Sequence, residues 1–165
     1  MIQYKWGLFY EKTYDLIINS EHGPKGGDEI NLNFLDKKGI ANYGWDVASY
    51  GIAYSGEDIY KKVHKEHGFI EPFKFYTPSI GISEILNIRK KNMYNKTPNT
   101  IYAASLRAGS IYIIETDKKF TKILNEDRLF FKEQRIRDLE FDEELNVFFV
   151  LFEYTPSIAV IKKIN

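Results

Sequence analysis

Short apolar and aromatic runs alternate with clusters of turn-forming residues along the whole chain, and no long stretch carries helical spacing. The pattern predicts strands over Tyr14–Ser20, Glu29–Leu35, Pro72–Pro78 and Ser83–Arg89. Further strands are predicted over Thr100–Arg107, Ser110–Asp117, Thr121–Phe131, Ile136–Asp142, Asn146–Glu153 and Ser157–Ile164. Turn signals such as NKTPNT, RAGS, TDKKF and DEEL separate them. Only Gly56–Gly68 (GEDIYKKVHKEHG) has room for a helical turn or two, and its charges mark it as a solvated excursion. Strands repeating about every 8–12 residues without amphipathic helices predict an all-β chain, as a sandwich, a barrel or a propeller.

An internal echo bears on that choice. YTPSIGIS (Tyr76–Ser83) resembles YTPSIAVI (Tyr154–Ile161), each following a hydrophobic strand. The echo is either chance or the mark of equivalent places in two sheet units. From Pro72 onward there is material for about two four-stranded sheets, with a fraction of another before it. A closed propeller needs about four to eight such sheets, because an open arc leaves faces and edges bare. The expectation is therefore a sandwich that looks repetitive, or a part of something larger.

Composition narrows the function classes. The chain has 165 residues, the size of one domain; 44% are hydrophobic, 28% charged and 16% aromatic, the last favouring packed strands. Lys plus Arg and Asp plus Glu are 23 each, so no global field draws nucleic acid or anionic lipid, and any anion site must come from a few placed cations. The absence of cysteine excludes disulfides, thiolate nucleophiles and Cys-ligated metals. No apolar run has the length of a signal-peptide core or a membrane span.

Three stretches carry candidate chemistry. EHGPKGGDEINL (Glu21–Leu32) sets glycine and proline carbonyls beside Asp28 and Glu29, which is calcium-ligand chemistry; the alternative is a tight turn with ordinary solvated acids. In a strand, Asp28 and Glu29 face opposite sides and so do different jobs. The stretch is no P-loop, lacking the terminal Gly-Lys-Ser/Thr. In EQRIRDL, Arg135 and Arg137 share one strand face, and two such guanidiniums repel unless carboxylates lie between them. Either Glu133, Asp138 or Glu140 supplies that carboxylate, or an anionic ligand does. Arg107 in SLRAGS ends a strand where a turn begins. His64 and His67, three apart, are a metal pair or ordinary solvated residues, and His22 lines or caps the glycine loop. No G-x-S-x-G or H-E-x-x-H is present.

Together, EHGPKGGDEINL, NYGWDVASYGIAYSG, TPSIGIS, SLRAGSIYIIE and RIRDLEFD resemble, in order, the C-terminal half of the glucose/sorbosone dehydrogenases. These are soluble aldose sugar dehydrogenases that use pyrroloquinoline quinone (PQQ) and calcium. The resemblance runs from about Ile17 to Ile164 and implies the last three blades of a six-bladed β-propeller. On that basis residues 1–71 are an incomplete blade with cofactor and calcium loops. Residues 72–131 are one blade, and 132–165 a last blade without its closing strand.

By the same resemblance Gly23, Pro24, Glu29 and Tyr43 serve calcium, while Tyr54, Arg107, Arg135 and Arg137 contact the quinone. It implies oxidation of an aldose at its anomeric carbon to the lactone, with hydride passing to PQQ, in a periplasmic or secreted protein. Three cations and Ca²⁺ would neutralise the PQQ tricarboxylate and polarise its hydride-accepting carbonyl. Neither nucleic acid nor membrane insertion is implied, and the missing propeller half or self-association is expected to cover open sheet faces. The pattern departs from the family at Asp46, where proline usually follows NYGW. The family's catalytic histidine lies in its N-terminal half, and none of His22, His64 and His67 matches it. The isolated segment is therefore expected to be inactive. The competing readings are a non-catalytic propeller binding module that has lost the cofactor, and a self-contained β-sandwich.

Overall fold

A computed structural model describes residues 5–89 and 91–162. The residues 1–4 and 163–165 of the expected first and last blades, including the end of the Ser157–Ile164 strand, lie outside them. The chain folds as two compact units, Met1–Ile82 and Ser83–Asn165, which are described separately. Both are built from strands, and among the described residues the one helical element is a 3-10 turn at His64–His67, inside the predicted excursion.

In the first unit β1 (Lys5–Glu11), β2 (Leu16–Glu21), β3 (Asp28–Phe34) and β4 (Lys74–Tyr76) form one antiparallel sheet in chain order. Pairing of Ile18 with Leu32 and of Ser20 with Ile30 sets Leu16, Ile18, Ser20 and Ile30 on one face, all fully buried. The opposite face carries Ile17, Asn19, Glu21, Glu29, Asn31 and Asn33, an unusually polar surface. Residues 35–73 leave the sheet after β3 and return to pair β4 against it.

The Pro72–Pro78 strand thus completes the first sheet instead of opening the second, so that sheet is four-stranded, not a fragment. The physical reason is that long return, which brings the chain back to the free edge of β3. Strand β1 escaped the sequence pattern because its periodicity is inverted: Leu8 and Tyr10 are exposed while Glu11 is buried. A register irregularity between Lys5 and Gly7 blurs it further.

The second unit holds two sheets. One has the order β5 (Ile82–Ile88), β6 (Thr100–Ser105), β7 (Ser110–Thr116), β8 (Ile123–Phe130); the other has β10 (Val147–Phe152) between β9 (Ile136–Asp142) and β11 (Ser157–Ile161). Tyr102, Ala104, Ile111 and Ile113 of the first pack with Ile136, Leu139, Phe148 and Val150 of the second into one core. Phe148 anchors it, 5.0 Å from the Tyr102 ring and 4.8 Å from that of Phe141, close to edge-to-face distance. Every residue of β6 is buried, whereas β8 is a charged, largely exposed edge, a pattern that discourages pairing with other chains.

The sequence echo does not mark equivalent places. Tyr76–Ser83 runs from β4 to the start of β5, between sheets, whereas Tyr154–Ile161 makes the hairpin from β10 into β11 within one sheet.

Candidate functional site

In the first unit the glycine stretch is folded onto itself. The Lys25 and Ile52 backbones exchange hydrogen bonds of 3.0 Å each way, pinning the loop to the segment after Tyr50. A Cβ on Gly23 would fall 2.2 Å from the Gly27 carbonyl oxygen, and one on Gly27 would fall 2.4 Å from the Gly51 nitrogen. Gly27 also has φ 76°, so glycine is required there on both counts.

Asp28 holds this arrangement. It is 1% exposed, and its carboxylate accepts from the backbone N–H groups of Gly23 (3.2 Å), Gly81 (2.7 Å) and Ile82 (3.1 Å). Three backbone donors make it a structural pin between the loop and the turn before β5. His22 joins it, with Nε2 2.6 Å from the Ile82 carbonyl oxygen, and so caps the loop.

Glu29 faces the other way, onto the polar side of the sheet and directly opposite Glu21 across the β2–β3 pair. Like charges in that position repel. Burial pushes the Glu29 carboxyl up to about 8; Glu21, Glu71 and Asp28 add to the rise, and Asn31, 3.5 Å from Oε2, opposes it. Burial also raises the Tyr43 hydroxyl to about 12, with Glu21 and Glu29 contributing. Residues 35–73 cover this face, where the Tyr50 ring stacks on Phe75 of β4 (3.6 Å) and on His64 (5.3 Å) and bonds through its hydroxyl to Glu71. His64 Nδ1 lies 2.8 Å from the Tyr43 carbonyl oxygen, and its Nε2 lies 3.5 Å from Glu29 Oε1. Beside Tyr43, a cleft of about 620 Å³ opens between Asn19, Glu21, Asn33, Ile40 and Trp45.

This group fits a cation. The Tyr43 hydroxyl, His64 Nε2 and Asn31 Oδ1 are buried and have no hydrogen-bond partner, a rare condition that a bound ion relieves. Among the described residues no three His, Asp or Glu side chains gather, so an ion here rests on Glu29 with uncharged donors. The remaining residue of this unit assigned to the quinone, Tyr54, stands 81% exposed on the turn after Ala53. Asp46 is exposed too. His64 and His67 are not a metal pair: the first is buried and the second exposed.

In the second unit Arg107 follows β6 on an exposed turn. That turn lies against the segment leading to Arg135: Phe131 N–H donates to the Gly109 carbonyl at 2.8 Å. Arg135 and Arg137 share a carboxylate, one of the two outcomes their spacing left open. Both Nε atoms lie 2.9 Å from the same oxygen of Glu153, and the Arg135 guanidinium also sits 5.7 Å from the Tyr154 ring centre. Hydrogen bonds from the two arginines hold the Glu153 carboxyl below its usual range. Neither Glu133, Asp138 nor Glu140 plays this part. The β9–β10 register, with Ile136 opposite Phe152, carries Glu153 to Arg135, which no local spacing signals.

Glucose/sorbosone dehydrogenase is the family description that matches, over residues 4–157. An uncharacterized Synechocystis protein, slr1608, is 30% identical over 133 residues, which is 81% of this chain and 31% of its own. The apo-form soluble aldose sugar dehydrogenase of Escherichia coli superposes with a TM-score of 0.79 at 24% identity, covering 98% of this chain and 46% of that one. The PQQ-bound aldose sugar dehydrogenase of Streptomyces coelicolor does so at 0.58 and 20%, covering 89% and 36%. The chain thus spans less than half the length of each of these proteins. Its three sheets are those of a partial β-propeller. With the match extending over nearly all of its length, the chain belongs to the glucose/sorbosone dehydrogenase family.

Proposed function

We propose that this chain supplies the cation- and cofactor-holding part of a PQQ-dependent, Ca²⁺-assisted sugar dehydrogenase. The observation that carries the reading is the buried Glu29 carboxyl ringed by polar atoms that lack partners. Bound here, PQQ would supply the hydride acceptor for oxidation of an aldose at its anomeric carbon to the lactone, the hydroxyl proton going to a base outside these residues, and Ca²⁺ would supply a Lewis acid beside it. The residues here have a holding role. Glu29, Tyr43 and the carbonyls of Gly23 and Pro24 serve the ion; Arg107, Arg135 and Arg137 serve ligand carboxylates, and Tyr54 contacts the ring. Arg135 and Arg137 already grip one carboxylate oxygen from both sides, which is the chemistry a tricarboxylate needs. A periplasmic or secreted setting follows if the whole protein behaves as the family does. Among the described residues no helix is long and apolar enough to cross a membrane.

None of the three histidines is placed to take the sugar hydroxyl proton. His22 is bonded to Ile82, His64 is buried against Tyr43 and His67 is exposed on a turn. Given PQQ and Ca²⁺, the 165-residue chain should therefore bind the cofactor without reducing a dye acceptor when glucose is added. Turnover would refute this assignment of roles.

One observation favours a second reading, a binding module that has lost the cofactor: Glu153 already satisfies both arginines. Glu153→Gln separates the two. If the arginines serve the quinone, removing the competing carboxylate tightens Ca²⁺-dependent PQQ binding, read by quenching of tryptophan fluorescence. Under the module reading, neither the wild type nor E153Q binds PQQ.

A further inference from the structure

The cleft beside Tyr43 carries polar groups that the ion and the quinone do not use. Its floor is the polar side of the β2–β3 pair, and its wall is the segment from Phe34 to Trp45. Asn19 is buried, and its Nδ2 donates to Glu21 Oε1 at 2.8 Å, which fixes the amide and leaves Oδ1 as an acceptor. Asn33, diagonal to it across the pair, brings to the cleft an amide with no hydrogen bond among the described residues. Asn42 Oδ1 accepts from the Gly44 N–H at 2.9 Å, so its NH₂ group remains a donor. Trp45 adds the flat surface of an indole, steadied by stacking on Tyr60 at 5.8 Å.

Three amides with donors and acceptors to offer therefore surround a cleft that also has an aromatic wall. A sugar ring is the complement of such a lining, with hydroxyls around its edge and C–H groups on its faces. Charge argues against an anion: Glu21 and Lys37 offset each other, and the Lys37 ammonium sits 5.0 Å from the Phe34 ring centre. An apolar ligand would strand the amides, which costs more than its own burial returns. The volume of about 620 Å³ has room for more than a single ring. We propose that this cleft binds a neutral oligosaccharide, its hydroxyls gripped by Asn19, Asn33 and Asn42 and one C–H face laid on Trp45. Binding here needs neither the ion nor the quinone.

The test is a ¹H–¹⁵N titration of the full chain, in EDTA and without quinone, with maltose, cellobiose and lactose as probes. At least one should bind with a dissociation constant of about 1 mM or below, shifting the Trp45 indole N–H and the side-chain amides of Asn33 and Asn42. Asn33→Ala and Trp45→Ala should each weaken it about tenfold, whereas His67→Gln, on an exposed turn, should leave it within about twofold. Adenosine and inorganic phosphate, offered the same way, should leave these resonances still. If either shifts them at lower concentration than every saccharide, the inference is wrong. It is equally wrong if no saccharide moves them by about 50 mM, or if the affinity survives both alanine substitutions. Should an alanine variant not fold, the wild-type resonances decide alone. Because the titration contains neither Ca²⁺ nor PQQ, failure of the cofactor reading would leave its result untouched.

Discussion

Replacing Asp28 with alanine is expected to lower the melting temperature of the first unit by roughly 10–20 °C, corresponding to about 3–4 kcal/mol. Its carboxylate is the common acceptor for three backbone donors, on Gly23, Gly81 and Ile82. Alanine leaves all three N–H groups facing a dry gap, and each unmade bond to a buried donor costs about 1–3 kcal/mol, with relaxation recovering part of the sum. Asp28→Asn keeps one acceptor oxygen and the shape of the side chain, so it should fall between alanine and the wild type. The glycine loop should loosen first, since Gly23 loses the acceptor that ties it to β3. Thermal unfolding followed by circular dichroism, with hydrogen exchange at Gly23, Gly81 and Ile82, reads both effects. A D28A protein melting within about 3 °C of the wild type would show that the pin is dispensable.

Asp28 and Glu29 also show how far the sequence could be read. Strand alternation alone required these neighbours to face apart, and they do: one closes a loop and the other enters a polar face. The same rule put Arg135 and Arg137 on one side, and both reach Glu153. All ten strands predicted from apolar runs are present in the described residues, because half-buried strands must alternate. What escaped were contacts made by returns of the chain over long separations. Glu153 reaches Arg135 through the register of β9 with β10, and β4 closes the first sheet only because residues 35–73 come back to its edge. The same return buries His64 beside Glu29, so two residues three apart, His64 and His67, end in opposite environments. Spacing cannot express such an outcome, since it is decided by where the loop lands.

The metal-free chain should lose stability as pH rises from about 6 to 9, by roughly 2–3 kcal/mol, and Glu29→Gln should largely flatten that slope. Burial raises the Glu29 carboxyl from its ordinary 4.5 to about 8, so the folded state retains a proton that the unfolded state has already released. Between those values the native state binds more protons, and unfolding free energy falls with each step up in pH. The contribution is complete below the unfolded value, fades as pH passes through about 8 and is gone above it. On the Glu29 face stand Glu21 from β2 and Glu71, His64 and Tyr43 from residues 35–73, while Asp28, on the opposite face, acts on it through charge alone. The three acids raise it further once ionised. His64 works in the opposite sense: burial lowers its affinity for a proton, so acid favours unfolding, and the comparison belongs above about pH 6. Urea midpoints at four pH values for wild type and E29Q measure the slope, and parallel profiles would remove Glu29 as its source. A divalent ion at pH 8 should restore the lost stability in the wild type alone, because the charge that destabilises the empty pocket is the charge that binds it.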